Sequence, residues 1–293
     1  MNRQAALYEA SQRLADAGLP ASEARAEARL ILMRAANLSR EELILRPELP
    51  LTDADRDRFE QWLRRRERRE PLAYLFGERD FYGLTFLVTP AVLIPRPETE
   101  LLVETALTYA STLSHPRIAD IGTGSGCVAV ALARHLPTAT IDAVDICQEA
   151  LAVAAANCER HGVERQITLR QGDLLMPLSA KGPYDIIVSN PPYIAPSEIE
   201  QLEPEVRDFE PGIALGLSED ALLFHRRLTA ESEPLLQGIL ATEVGQGQAD
   251  EVAALFSDAG FRPTAIRKDL AGIGRVVVGQ KTDVNRPFPF ASD

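Results

Sequence analysis

Arg117-Ile118-Ala119-Asp120-Ile121-Gly122-Thr123-Gly124-Ser125-Gly126 is the stretch that decides the fold. An apolar strand runs into a turn of alternating glycines, and the apolar helix Cys127 to Ala133 follows at once. Strand, glycine-rich turn and helix in that order open a nucleotide-binding α/β unit, because residues without Cβ let the backbone approach a ligand closely. The spacing is G-x-G-x-G preceded by an acid, which departs from the dinucleotide pattern G-x-G-x-x-G. It suits S-adenosyl-L-methionine better than NAD, and Gly122, Thr123, Gly124, Ser125 and Gly126 become the first candidate binding residues.

Working downstream, the strand Thr140 to Val144 ends in Asp145, whose carboxylate suits the two ribose hydroxyls of an adenosine ligand. A helix from Glu149 to Gly162 leads to a third strand, Gln166 to Arg170, with Gly172-Asp173-Leu174 at its end. Asp173 is a candidate acceptor for an adenine amino group and Leu174 a candidate packing surface for the ring; a loop acid beside a core leucine is the other reading. The fourth strand, Tyr184 to Ser189, delivers Asn190-Pro191-Pro192-Tyr193. Prolines stop the ladder and stiffen the turn, so the Asn190 amide is held at a strand tip with a tyrosine beside it. These parts suit a grip on a planar NH2 group, although alone they also describe a proline turn capping a strand. Four strand tips at one carboxyl edge of a parallel sheet are far more specific than any one of them. After a loop from Ile194 to Pro211 and a helix near Ala221 to Glu231, strands are expected at Gly238 to Glu243, Phe261 to Lys268 and Gly274 to Gly279. The expected fold is α/β, a seven-stranded Rossmann-like mixed sheet with an antiparallel end.

Upstream the pattern is helical. Leu7, Ala10, Leu14 and Ala17 share one face before Gly18, and Ser22 is the expected cap of a second helix that carries Ala28, Ile31, Leu32 and Ala35 inward. Ser39-Arg40-Glu41-Glu42 has the form of a capping box, and Thr52 starts a fourth helix with Phe59, Trp62 and Leu63 apolar. That helix ends in the arginine run Arg64 to Glu70, which its interleaved glutamates make a solvated face. Gly77 to Thr89 reads as a hairpin turning near Gly83, and Ile94-Pro95-Arg96-Pro97-Glu98-Thr99-Glu100 as the start of a helix from Leu101 to Tyr109. The division expected is a small N-terminal helical bundle at 1–75, a hairpin linker at 76–90, the catalytic α/β domain at 91–281 and a disordered tail at 282–293.

Charge and composition exclude other classes. The net charge is −12, and it is uneven: residues 1–75 carry 14 basic against 13 acidic side chains, the remainder 17 against 30. An acidic catalytic part argues against a stable nucleic-acid partner, since phosphate contacts dominate that affinity. Cys127, Cys147 and Cys158 form no CxxC pair, and His115, His135, His161 and His225 never fall at ligand spacing, so neither disulfides nor a metal is expected. With no signal-peptide core and no run of membrane length, a cytoplasmic protein without a membrane partner is the expectation.

The chain resembles the PrmC/HemK family of peptide chain release factor glutamine methyltransferases. The resemblance spans a helical N-terminal domain, Tyr82-Gly83, the stretch Pro95 to Glu100, Asp120 to Gly126, Ala143-Val144-Asp145, Ser189 to Tyr193 and Asp269-Leu270-Ala271-Gly272-Ile273-Gly274-Arg275. It implies an S-adenosylmethionine-dependent methyltransferase domain behind a substrate-docking bundle, and the glutamine of the release factor GGQ loop as acceptor. Asn190, Pro191 and Tyr193 are then expected to be catalytic: the Asn190 side-chain oxygen and the Pro191 carbonyl accept the two amide N–H bonds, Pro192 completes the turn and Tyr193 packs on the amide plane. Asn190 also counts on the donor side. One stretch departs from the family pattern: Gly216-Leu217-Ser218-Glu219-Asp220-Ala221 stands where a glycine-rich loop is expected, which bears on the acceptor side. NPPY alone is shared with nucleic-acid amino methyltransferases, the alternative activity; an idle donor-binding scaffold is the non-enzymatic one.

Overall fold

The computed structural model describes residues 1–216 and 218–282. The expected disordered tail therefore lies, apart from Thr282, outside the described residues, as does Leu217. The chain forms two compact units, Met1–Gly77 with Glu203–Phe209, and Glu78–Leu202 with Glu210 onward.

The first unit is helical: α1 (Arg3–Asp16), α2 (Ala21–Ala35), α3 (Arg40–Leu45), α4 (Asp53–Glu67) and α5 (Leu72–Phe76). Ala6, Ala10, Leu14, Ala28, Ile31, Leu32, Phe59 and Leu63 form its core, so small residues on α1 and α2 allow close packing against larger ones on α2 and α4. The Ser39 side chain accepts from Glu42 N–H and the Glu42 carboxylate from Ser39 N–H, closing the expected capping box on α3. Ser22 does not cap α2. The cap lies two residues earlier, at Pro20, whose fixed φ sets the entry without a side-chain hydrogen bond. The arginine run is more internal than its composition predicts: the Arg66 side chain is 3% exposed and pairs with Glu27 at 2.5 Å and Glu205 at 2.7 Å.

In the second unit, β1 (Glu78–Phe81) and β2 (Leu84–Leu87) form the hairpin, turning at Tyr82 and Gly83, both at positive φ. Phe81 and Phe86 enter the core of this unit, and buried Asn157 bonds the backbone of Leu87 on one side and Ser125 O on the other. Then follow α6 (Glu100–Ala110), β3 (Arg117–Ile121), α7 (Cys127–His135), β4 (Thr140–Asp145), α8 (Gln148–His161), β5 (Ile167–Gln171) and β6 (Tyr184–Ser189). Short helices α9 (Pro196–Ile199) and α11 (Gly212–Leu215) fall in this unit's loops, while α10 (Pro204–Arg207) packs with the first unit. The chain ends through α12 (Leu223–Ser232), β7 (Leu236–Glu243), α13 (Ala249–Asp258), β8 (Phe261–Lys268) and β9 (Gly274–Lys281).

The seven strands lie in the order β5-β4-β3-β6-β7-β9-β8. The first five are parallel and β9 runs antiparallel to both neighbours, giving the antiparallel end. Alternate strand residues enter two cores: Ile118, Ile141, Ile186 and Ile239 face α6, α7 and α8, while Ala119, Val144, Ile187 and Leu240 face α12 and α13. Strand order reverses at β3, with β4 on one side and β6 on the other, so the crevice outside the carboxyl ends of those strands is where such sheets bind ligands. Register brings the tips together: Ile121 pairs with both Val144 and Ser189, Asp145 with Gln171, and Ser189 with Thr242.

Candidate active site

At the end of β3 the chain turns through Gly122, Gly124 and Gly126, with φ of 73°, 54° and 78°. All three lie in the left-handed region that L side chains rarely adopt. The N–H groups of Gly122 and Thr123 both donate to Val144 O at 2.9 Å, fastening the loop to β4. At Gly126 a Cβ would meet that of Ala154 at 3.2 Å, so glycine also allows α7 and α8 to approach. At Gly124 a Cβ would meet nothing within 4 Å, and the turn opens on a cavity.

Asp145 fixes that turn. One carboxylate oxygen accepts Gly124 N–H at 2.8 Å and the other Cys147 N–H at 2.9 Å, and each keeps lone-pair capacity toward the cavity it lines. Asp120 sits behind the loop, 2% exposed, and accepts from the Thr123 hydroxyl at 2.6 Å and Ala129 N–H at 3.2 Å. Burial pushes its carboxyl up to about 6. Asp173 and Leu174 line the same cavity, with Leu174 at φ 45°. One Asp173 oxygen is already engaged by Arg227 of α12 at 2.8 Å, a partner that sequence spacing gave no sign of.

Beyond β6, the Ser189 hydroxyl donates to Ile121 O at 2.8 Å and ties the two strand tips. Asn190, Pro191 and Pro192 line the same cavity, next to the glycine loop. The Asn190 Nδ2 donates to the Thr99 hydroxyl oxygen at 3.1 Å, which leaves the side-chain carbonyl free to accept. Tyr193 stands apart. It is not among the cavity-lining residues; its hydroxyl reaches Glu243 Oε1 at 3.4 Å, its backbone carbonyl accepts from Gln248, and burial pushes its hydroxyl well above the usual tyrosine range.

The remaining wall comes from the stretch Pro95 to Glu100, which composition alone reads as a helix start and the family resemblance includes. Pro95, Arg96 and Thr99 line the cavity, and Arg96 pairs at 2.6 Å with Glu210, which also accepts from Ile94 N–H. Glu210 is buried, and desolvation raises its carboxyl against the pull of Arg96. Pro211, Ile213 and Ala214 follow it into the lining. In the departing loop, the Ser218 hydroxyl accepts from Asp220 N–H, and neither Ser218 nor Ala221 lines the cavity. Among the described residues no group of three or more His, Cys, Asp and Glu is placed to hold a metal ion, and no helix is long and apolar enough to cross a membrane.

A seven-stranded sheet of this order, with a glycine loop, an acid on the next tip and an NPP turn around one cavity, defines the Rossmann-like methyltransferase class. Two family models match in turn: the PrmC N-terminal domain over residues 5–77 and the methyltransferase small domain over residues 97–203. The release factor glutamine methyltransferase of Geobacter sulfurreducens is 42% identical over 91% of this chain and 92% of its own length. The protein of the same name from Moorella thermoacetica is 40% identical over 97% of this chain and its whole length. The chain belongs to the release factor glutamine methyltransferase family, whose members use S-adenosylmethionine. Among solved structures, the hMettl16 catalytic domain in complex with MAT2A 3′UTR hairpin 6 superposes with a TM-score of 0.56 at 19% identity, covering 74% of this chain and 82% of that one. At that identity the likeness shows the fold alone.

Proposed function

We propose that the protein transfers a methyl group from S-adenosyl-L-methionine to the side-chain amide nitrogen of the glutamine in the GGQ loop of peptide chain release factors. The observation that carries the chemistry is Asn190: its Nδ2 is taken by Thr99, which leaves its side-chain oxygen free to accept, and the residue lines the cavity that the glycine loop and Asp145 also line. The acceptor's identity draws on the relatives named for glutamine methylation of release factors, and a release factor acceptor fits a cytoplasmic enzyme.

The residues fit the donor. The loop backbone from Gly122 to Gly126 and the lone pairs of Asp145 are assigned to its sugar and amino acid ends, and Asp173 and Leu174 to its base. When bound, the donor supplies an electrophilic sulfonium methyl. A carboxamide nitrogen is a poor nucleophile because its lone pair is delocalised, so the protein's work is to orient it and to meet the charge that develops. Asn190 Oδ1 and Pro191 O accept its two N–H bonds, which weakens the conjugation and aims the lone pair. Tyr193 is assigned to the acceptor side, held beside the cavity lining by its bond to Glu243. The nitrogen becomes acidic as the methyl arrives, and its proton passes to Asn190 Oδ1 or water, so no strong base is needed.

The test is mass spectrometry of a GGQ-containing release factor after incubation with protein and donor, with the added methyl mapped to the glutamine. Methyl incorporation into RNA or DNA and none into the release factor would overturn the reading. In Asn190→Ala, transfer is abolished while donor affinity by calorimetry survives; parallel loss of donor affinity would make Asn190 a donor-binding residue instead.

A further inference from the structure

Asp173-Leu174-Leu175 is a turn fastened at both ends by one helix, α12. Arg227 of that helix donates through Nη2 to Asp173 Oδ2 at 2.8 Å, and through Nε and Nη2 to Glu231 Oε1 at 3.2 Å and 3.0 Å. The other Glu231 oxygen accepts Leu175 N–H at 3.2 Å. Arg227 and Glu231 stand four residues apart and share a helix face, so a single pair reaches the residues on either side of Leu174. Leu174 needs that support: it is a bulky residue at φ 45°, a conformation that persists only where its neighbours over-determine it. Stability of the fold does not account for the arrangement. The Arg227 and Asp173 side chains are 34% and 38% exposed, and ion pairs so open to solvent add little to folding. The pair does settle which carboxylate oxygen stays free. Among the described residues Asp173 Oδ1 accepts no hydrogen bond, and Asp173 and Leu174 line the cavity together with Phe224 of α12 itself.

We propose that Arg227 and Glu231 are positioning residues that make the base subsite selective for a 6-aminopurine over a 6-oxopurine. The inference rests on the reading of the cavity as an S-adenosyl-L-methionine site with Asp173 at the base. Adenine offers an exocyclic N–H donor at the position where hypoxanthine offers a carbonyl acceptor. A carboxylate only accepts, so it satisfies the first and repels the second, provided that it is held in place. Arg227 holds it by Oδ2 and leaves Oδ1 for the ligand. Glu231 in turn orients the guanidinium through Nε and Nη2 and ties down Leu175 N–H, which keeps Leu174 in its strained turn. Freed from this clamp, the turn can shift until Asp173 meets the N1–H of a 6-oxo base instead of its carbonyl. Discrimination between the two bases then fades, although both still bind.

Calorimetry on the full chain with S-adenosyl-L-homocysteine and S-inosyl-L-homocysteine tests this, since the two compounds differ only at the edge of the base. The wild type should bind the adenosyl compound at least about thirtyfold more tightly, the worth of a hydrogen bond to a charged group set against a repelled carbonyl. In Arg227→Met, which keeps the aliphatic stem and removes the donors, that ratio should fall to about threefold or less, with affinity for the inosyl compound within about twofold of wild type. Glu231→Gln keeps an acceptor oxygen and loses the charge, and its ratio should lie between those two. A variant that loses affinity for both compounds in step retains the wild-type ratio and overturns the inference, because α12 would then only support the fold. A wild type that does not distinguish the compounds, or binds neither, overturns it as well. Should Arg227→Met not fold, Glu231→Gln decides on the same ratio. Neither titration involves an acceptor, so a release factor left unmethylated would overturn the proposed reaction while the ratio still decides the role of α12.

Discussion

Replacing Glu243 by Gln should make the folded protein more stable relative to wild type as pH rises. The Glu243 carboxyl stands at about 7 in the folded protein against an ordinary 4.5, chiefly because burial penalises its charge. At about 1.4 kcal/mol per pH unit, that difference is on the order of 3 kcal/mol of folding free energy, an upper limit given what opposes burial at this site. The sign follows from proton counting. Between 4.5 and about 7 the folded wild type holds a proton that the unfolded chain has lost, so its stability falls as pH rises and then levels off. A neutral amide does not titrate, and every other carboxylate is common to both proteins and cancels. An unmet Gln N–H adds a constant cost of about 1–3 kcal/mol, which moves the difference between variants up or down without changing its slope. Urea unfolding of both proteins from about pH 5 to about pH 8.5 reads the slope directly. A difference that does not change with pH, or one in which the variant loses ground as pH rises, would refute the buried-charge argument for Glu243.

Other parts of the structure give further expectations. Asp145→Asn removes one of the two equivalent oxygens and the charge that hold Gly124 and Cys147; donor affinity should drop by about tenfold or more in calorimetry, and unchanged affinity would release Asp145 from the donor site. Gly216→Ala places a Cβ 1.7 Å from the backbone oxygen of Ile194, just past NPPY, so the segment must move; about 1–3 kcal/mol of stability should be lost in denaturant melts, together with transfer activity. Arg66→Ala takes the buried cation from half-buried Glu27, while Glu205 keeps Arg69 at 2.7 Å; the loss on unfolding should be about 1–3 kcal/mol, whereas an exposed pair would cost under about 1.

The sheet was legible because its signals are local. Each parallel strand is a short apolar run with a turn signal, and the residues that bind at such a sheet sit one step past the run, where the motif itself marks them: Gly122 after Ile121, Asp145 after Val144, Asn190 after Ser189. The misses have equally local causes. Ser22 was read as a cap because serine favours that position, but Pro20 two residues earlier already fixes the backbone. The arginines before Pro71 read as a solvated face because interleaved charges usually are. What brings Arg66 inside is its pairing with Glu27 and Glu205, which no helical periodicity connects to it.

Asn190 shows most clearly where sequence reading stops. Its motif gives the amide and its place on a strand tip, but an amide has two faces, and which one meets the cavity is set by what lies behind it. That is Thr99, 91 residues away in a stretch whose composition announces only a helix start. Thr99 belongs to no pattern with a period, so it is not found by one. A single donor–acceptor pair, Asn190 Nδ2 to the Thr99 hydroxyl oxygen, therefore decides which amide atom stays free to accept.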